Sequence, residues 1–325
     1  MSFEMNIILA VICLVLGLLV LWKCAELLVT GAVGLAQHLG ISPLIIGLTV
    51  VAMGTSAPEV AASIAAAARN AGDVAIGNVY GSNIANLALV GGLCALITPI
   101  SIKKRMLQRE IPVMLLVALL LWPVLHDLYL SRPEGLTLLG VFAVLILLTV
   151  YVARRQAANS SGDKRNTQYT IRDTKKSLLF VVVGLVGLAL GADMAVWGAV
   201  FIGERIGLSK AVIGLTIIAI GTSLPELVTC VVAAVKGHND ISIGNLVGSN
   251  VFNTLLVTGT AGVIRPFAVG QRLAGVDYWV MIIVSGGFVS VALLGRRVIG
   301  RVGGVILLCA YIGYMVYLLG YTAGV

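Results

Sequence analysis

Glu59 and Glu226 close two copies of one stretch. GLTVVAMGTSAPE covers residues 47–59 and GLTIIAIGTSLPE covers 214–226, 167 residues later, with nine of thirteen positions identical. Each acid stands three residues after a serine (Ser56, Ser223), four after a threonine (Thr55, Thr222) and seven after an alanine (Ala52, Ala219). On a helix that spacing shares one face. Pro58 and Pro225 precede the acids. Proline lacks an N–H and clashes with the carbonyl four residues back, which frees carbonyls near Gly54 and Gly221. Each face therefore offers a carboxylate, two hydroxyls and main-chain oxygens. An acid inside a long apolar run is by default functional or paired with a cation, and no lysine or arginine is placed centrally to pair with both. The plainer alternative is a protonated glutamate that donates a hydrogen bond between helices.

A second repeated block supplies neutral oxygens. GNVYGSNIANL at 77–87 and GNLVGSNVFNT at 244–254 share six of eleven positions. Asn78, Ser82 and Asn86 recur every four residues, as do Asn245, Ser249 and Asn253. Ser82, Asn86, Ser249 and Asn253 read as ligands, because Gly77, Gly81, Gly244 and Gly248 let the same helices pack closely. Asn83 and Asn250 point elsewhere and read as glue between helices. Such a set is all oxygen. It suits hard cations, and six to eight oxygens suit calcium. Zinc and copper are disfavoured, since His38, His126 and His238 all lie near loops. Two carboxylates close together in low dielectric cannot both stay ionised and empty. They need a divalent ion, monovalent ions or protons, and a site that resists crossing empty implies exchange. Neither a nucleophile with its base nor a histidine pair is present, so no enzyme and no cofactor are expected. A channel is disfavoured because the symmetry is internal to one chain, which also makes a monomer the expected functional unit.

The elements that hold these residues are membrane spans. The chain has 325 residues, 59% hydrophobic and 11% charged, with mean hydropathy +1.05. A spanning helix needs about 20 apolar residues, and ten such runs are centred near 15, 55, 87, 116, 144, 188, 223, 255, 283 and 312. The fold expected is an all-α polytopic membrane protein: ten transmembrane helices as two inverted five-helix repeats with broken second helices. An odd number of spans per half puts the second half in the opposite orientation, with a site at the midplane between halves. The halves are 1–153 and 178–325, joined by a polar linker at 154–177. The first spans are long and dotted with glycine, the fourth and fifth nearly free of polar residues and facing lipid. Lys23 and Glu26 read as a local ion pair, while Asp193, which matches Glu26, stays open as lining an ion entrance.

The net charge of +8 reads as topology and not as affinity for nucleic acid. Loops on the side of the termini hold six basic residues (Arg69, Arg132, Arg205, Lys210, Arg265 and Arg272), against fifteen on the other side. By the positive-inside rule the termini face outward and the linker is cytoplasmic. MSFEMN has no positive n-region, so the first apolar run reads as a retained helix. The five cysteines lie in apolar runs without a CxxC and read as small hydrophobes.

With GTSAPE and GTSLPE, and with GNVYGSNIANL and GNLVGSNVFNT, the chain resembles the cation/calcium exchanger superfamily, the sodium/calcium exchangers in particular. These look like that family's paired alpha repeats. The resemblance implies an inner-membrane calcium/sodium antiporter working by alternating access, with the first and sixth helices sliding past the core. It implies that Glu59 and Glu226 are the central calcium carboxylates and that Thr55 and Thr222 contribute carbonyl or hydroxyl oxygens. Ala52, Ser56, Ser82, Ala219, Ser223 and Ser249 would then belong mainly to flanking sodium sites, and Asn86 and Asn253 would complete the cage. The family often has an acid where this chain has Asn253. The implied cage has two carboxylates, and the counter-ion, sodium or proton, stays open with the stoichiometry.

Overall fold

The computed structural model describes residues 7–159, 173–207 and 219–323, with 213 and 217 between them. Ile7–His38 (α1) opens the first half, followed by Pro43–Thr55 (α2), Ala57–Ala68 (α3), Gly72–Ile97 (α4), Lys104–Leu125 (α5) and Arg132–Asn159 (α6). The second half comprises Thr174–Arg205 (α7), Ala219–Thr222 (α8), Leu224–Val235 (α9), Asn239–Ile264 (α10), Leu273–Leu294 (α11) and Arg301–Ala323 (α12). Among the described residues eight helices are long and apolar enough to span a membrane, and α2 with α3, bent by 43°, makes a ninth. The tenth expected span, ending in α9, begins in residues outside the described ones, as do Ser209, Lys210 and linker positions 160–172. The helices on either side reach Asn159 and Thr174, well into the expected linker.

Loop contacts display the inversion. Ile100–Ser101 (β1) pairs antiparallel with Val298–Ile299 (β4), and Tyr129–Leu130 (β2) with Phe267–Ala268 (β3). Ile100 and Phe267 are 167 apart, so one ladder is the repeat image of the other. Lys103 forms an ion pair with Asp240. Its image is the backbone N–H of Gly270 donating to Asp73 (2.7 Å). Counting crossings in sequence puts the members of each pair on one face and the two ladders on opposite faces.

The long first helices of the halves lie antiparallel in close contact. A Cβ on Gly17 would sit 2.6 Å from the Ala195 nitrogen, and its image on Gly184 would sit 2.8 Å from Leu28. Glycine is required there because two backbones touch. Each of these helices ends on a glycine with positive φ, Gly40 at 63° and Gly207 at 86°, the conformation that stops a helix cheaply.

The centre belongs to α4 and α10, 72% buried over their most apolar windows, against 11% for α6 and 17% for α12. The polar third spans thus sit inside while α6 and α12 face lipid, as expected. The fourth spans do more than scaffold. In α11, Tyr278 is buried and its ring packs against Tyr80 of α4.

Candidate functional site

The second span breaks at Ser56, where ψ leaves the helical range (φ −83°, ψ 6°), and Ser223 repeats the break (φ −90°, ψ 5°). Pro58 and Pro225 therefore do not sit mid-helix. They occupy the first turns of α3 and α9, where a missing N–H costs nothing. Ala52 and Thr55 consequently belong to a different helix from Glu59, and the single continuous face expected for them is corrected to two half-helices meeting at a serine. Glu59 and Glu226 lie in the first turn of the second half-helix, where the helix dipole favours a negative charge.

Both carboxylates are fully buried, and neither is in an ion pair among the described residues. Ser56 donates to Glu226 Oε1 across the repeats (3.0 Å), and Ser82 approaches Glu59 Oε1 (3.5 Å). Among the described residues the second oxygen of each acid has no partner, and neither has the hydroxyl of Ser223 or Ser249 nor either amide atom of Asn86 and Asn253. Buried polar atoms left without partners cost free energy unless something else satisfies them. Carboxylate, hydroxyl and amide oxygens are groups that a hard cation can satisfy.

Asn86 and Asn253 sit in matching π-helical turns, Ala85–Val90 and Asn253–Val257. The wider turn re-aims side chains and recurs at functional sites. These turns cross over: α3 touches the one at 253–257 and α9 the one at 85–90. Ala52 lies against Gly248, the residue before Ser249, whose added Cβ would come within 2.7 Å of it.

Not every expected ligand joins this set. The Thr55 hydroxyl is committed to Asn245 (3.1 Å), which leaves its carbonyl. The side chain of Thr222 is half-buried and lines a cavity with Asp193. The side chain of Ala219 lies outside the described residues. The close-packing glycines hold for Gly244 and Gly248, which meet the backbone of α2; a Cβ on Gly81 would meet no described atom within 4 Å beyond its own helix backbone, and most of the repeat image of α2 lies outside the described residues. Gly54 and Gly221 admit the side chains of Leu185 and Val196. Asn83 does join helices, donating to Thr254 (2.9 Å), whereas Asn250 bonds back to Leu246 in its own helix (2.7 Å).

The supports behind the acids were largely invisible in sequence. Asn78 donates to the Glu59 carbonyl (3.2 Å) and to Ser63 (2.9 Å), and Ser63 donates to the Ala75 carbonyl (3.3 Å). Their images are Asn245 donating to Cys230 (3.3 Å) and Cys230 to the Ser242 carbonyl (3.4 Å). Cys230 is thus no mere small hydrophobe; its thiol stands where the other half has a hydroxyl. Matching Ser63 to Cys230 at the 167-residue offset was the available signal. Lys23 and Glu26 pair as expected (3.1 Å).

The family profile described as Sodium/calcium exchanger protein matches residues 9–151 and 176–320, nearly the whole chain. The chain belongs to this sodium/calcium exchanger family. CaxA of Alkalimonas amylolytica is 42% identical, over 95% of this chain and 98% of that protein. The inner membrane protein YrbG of Escherichia coli K12 is 40% identical over 86% and 87%, and the sodium/calcium exchanger MaX1 of Methanosarcina acetivorans is 33% identical over 94% and 97%. Among solved structures, the sodium-calcium exchanger NCX_Mj superposes with a TM-score of 0.80 at 32% identity, covering 94% of this chain and 97% of that one. The chain is a multi-pass membrane protein of an exchanger family, with the inverted-repeat fold of that structure.

Proposed function

We propose that this exchanger moves calcium across the membrane against sodium, by alternating access to one buried cage. The observation that carries the reading is the pair of fully buried glutamates, each with an unpartnered oxygen and no ion pair among the described residues. Glu59 and Glu226 take the divalent ion, with the main-chain carbonyls of Thr55 and Thr222 and the Asn86 and Asn253 amides around it. Ser56, Ser82, Ser223, Ser249, Ala52 and Ala219 flank it as monovalent-ion positions. The names of MaX1 and NCX_Mj, both sodium/calcium exchangers, support this choice of ions. Two carboxylates balance one divalent ion or two monovalent ones, so the loaded site is nearly neutral and the empty one is not. That difference penalises an empty return. The chain works as a monomer of ten spans, in which 1–153 and 178–325 are the repeats. Its termini lie outside and linker 154–177 lies in the cytoplasm.

A second reading, proton coupling, is favoured by Asn253, which leaves the cage one acid fewer than is common in the family. Calcium uptake by proteoliposomes decides between them. An imposed sodium gradient is expected to drive uptake, and a proton gradient alone is not. Uptake driven by protons in sodium-free medium overturns sodium coupling.

A further inference from the structure

We propose that Asp193 draws cations toward the cage from the face that bears the chain termini, an inference that rests on the exchange reading above. Helix α7 leans on both kinks, through Leu185 on Gly54 and through Val196 on Gly221. Between those two contacts its face carries Ala189 and Ala192, too small to fill the gap. A cavity of about 490 Å³ remains, lined also by Pro58, Ala61, Thr222 and Asp193. Pro58 is the residue before Glu59, and Thr222 stands four before Glu226. Among the described residues Asp193 is the one charged residue on this wall, exposed and without a hydrogen bond or ion pair. It lies past the middle of α7, toward the end away from the linker. An acid at such depth is expensive unless it faces water or a cation path.

The repeat image sharpens this. Glu26 holds the same place on α1, displaced toward the opposite face. There it is neutralised by Lys23 (3.1 Å) and by Lys236 (3.9 Å), the residue that follows α9. α1 also packs closely along α9. One position, repeated twice, is therefore packed and charge-balanced toward the linker face and, among the described residues, open and uncompensated toward the terminal face. An uncompensated carboxylate in a low-dielectric cleft raises the local cation concentration.

The test uses the full chain in oriented membrane vesicles, with calcium uptake measured from each face. Asp193→Asn is expected to raise half-saturating calcium on the terminal face by about three- to ten-fold. The maximal rate and the half-saturation on the linker face stay as in the wild type, and Asp193→Glu restores the wild-type value. An unchanged half-saturation on the terminal face, or an equal rise on both faces, overturns the proposal. A second measurement needs no transport. Asp193→Cys should react, above the wild-type background, with a membrane-impermeant cationic thiol reagent added on the terminal face. No reaction means that the side chain faces lipid, which also overturns it. A wild-type chain that moves no calcium strikes the exchange reading, whereas missing label strikes the role of Asp193.

Discussion

At the scale of single residues, the site turns on what is left unsatisfied. Among the described residues Glu59 and Glu226 each keep one carboxylate oxygen without a partner, and Asn86 and Asn253 keep both amide atoms free. Removing a buried charged ligand costs about 2–5 kcal/mol, or roughly 30- to 5,000-fold in affinity. Glu226→Gln is accordingly expected to raise half-saturating calcium by about two orders of magnitude or to abolish uptake; a shift below three-fold contradicts the assignment. Asn253→Asp adds a third carboxylate. The sodium dependence of calcium uptake should then steepen, because a further monovalent charge is needed to balance the cage. The acids and the Asn/Ser faces were legible because a polar residue in a 59% hydrophobic chain is conspicuous and the repeat showed it twice. The role of Cys230 was not, because a thiol inside an apolar run looks like any small hydrophobe until Asn245 is seen to donate to it. Cys230→Ser copies the opposite half and should keep uptake within about two-fold. Cys230→Ala strips a buried amide of its acceptor, at about 1–3 kcal/mol, and should lower the melting temperature.

At the scale of elements, the half-helix is what makes a buried acid tolerable. A straight helix would use the N–H groups of residues 57–59 in its own ladder. The breaks at Ser56 and Ser223 instead start new helices whose first turns hold the acids. The prolines announced a break, but their place in the first turn could not be read from composition alone, since proline suits both a kink and a helix start. The π-helical turns at 85–90 and 253–257 left no trace in the sequence either; each lies against the half-helix of the opposite repeat. Close approach is the other element-level requirement. A Cβ on Gly244 would sit 2.8 Å from the Leu44 carbonyl. Gly244→Val should therefore destabilise the protein by about 1–3 kcal/mol, read as a lower midpoint in thermal unfolding in detergent. An unshifted midpoint would mean that α2 and α10 part without cost.

At the scale of the molecule, the two halves are chemical images that stand in different states. The ladders Ile100–Ile299 and Leu130–Phe267 clasp opposite faces alike, and the π turns match. The first helices differ in their surroundings. α1 is held against α9 near the Glu26–Lys236 contact, while α7 leaves a cavity beside Pro58. Symmetry of sequence with asymmetry of structure is what an alternating-access carrier requires, because exchanging the environments of the two halves turns one face into the other. The inverted pairing was readable from five apolar runs per half; which half stands open was not, because the repeats alone are nearly symmetric. The most direct measurement is calcium-driven calcium exchange in proteoliposomes, which needs no sodium and asks only whether one shared site crosses loaded. Wild type should exchange labelled for unlabelled calcium across the bilayer and lose almost none when no cation is supplied opposite, and Glu59→Gln should abolish the exchange. Equal efflux with and without a cation opposite, or full exchange in Glu59→Gln, would contradict a cage built on the two buried glutamates.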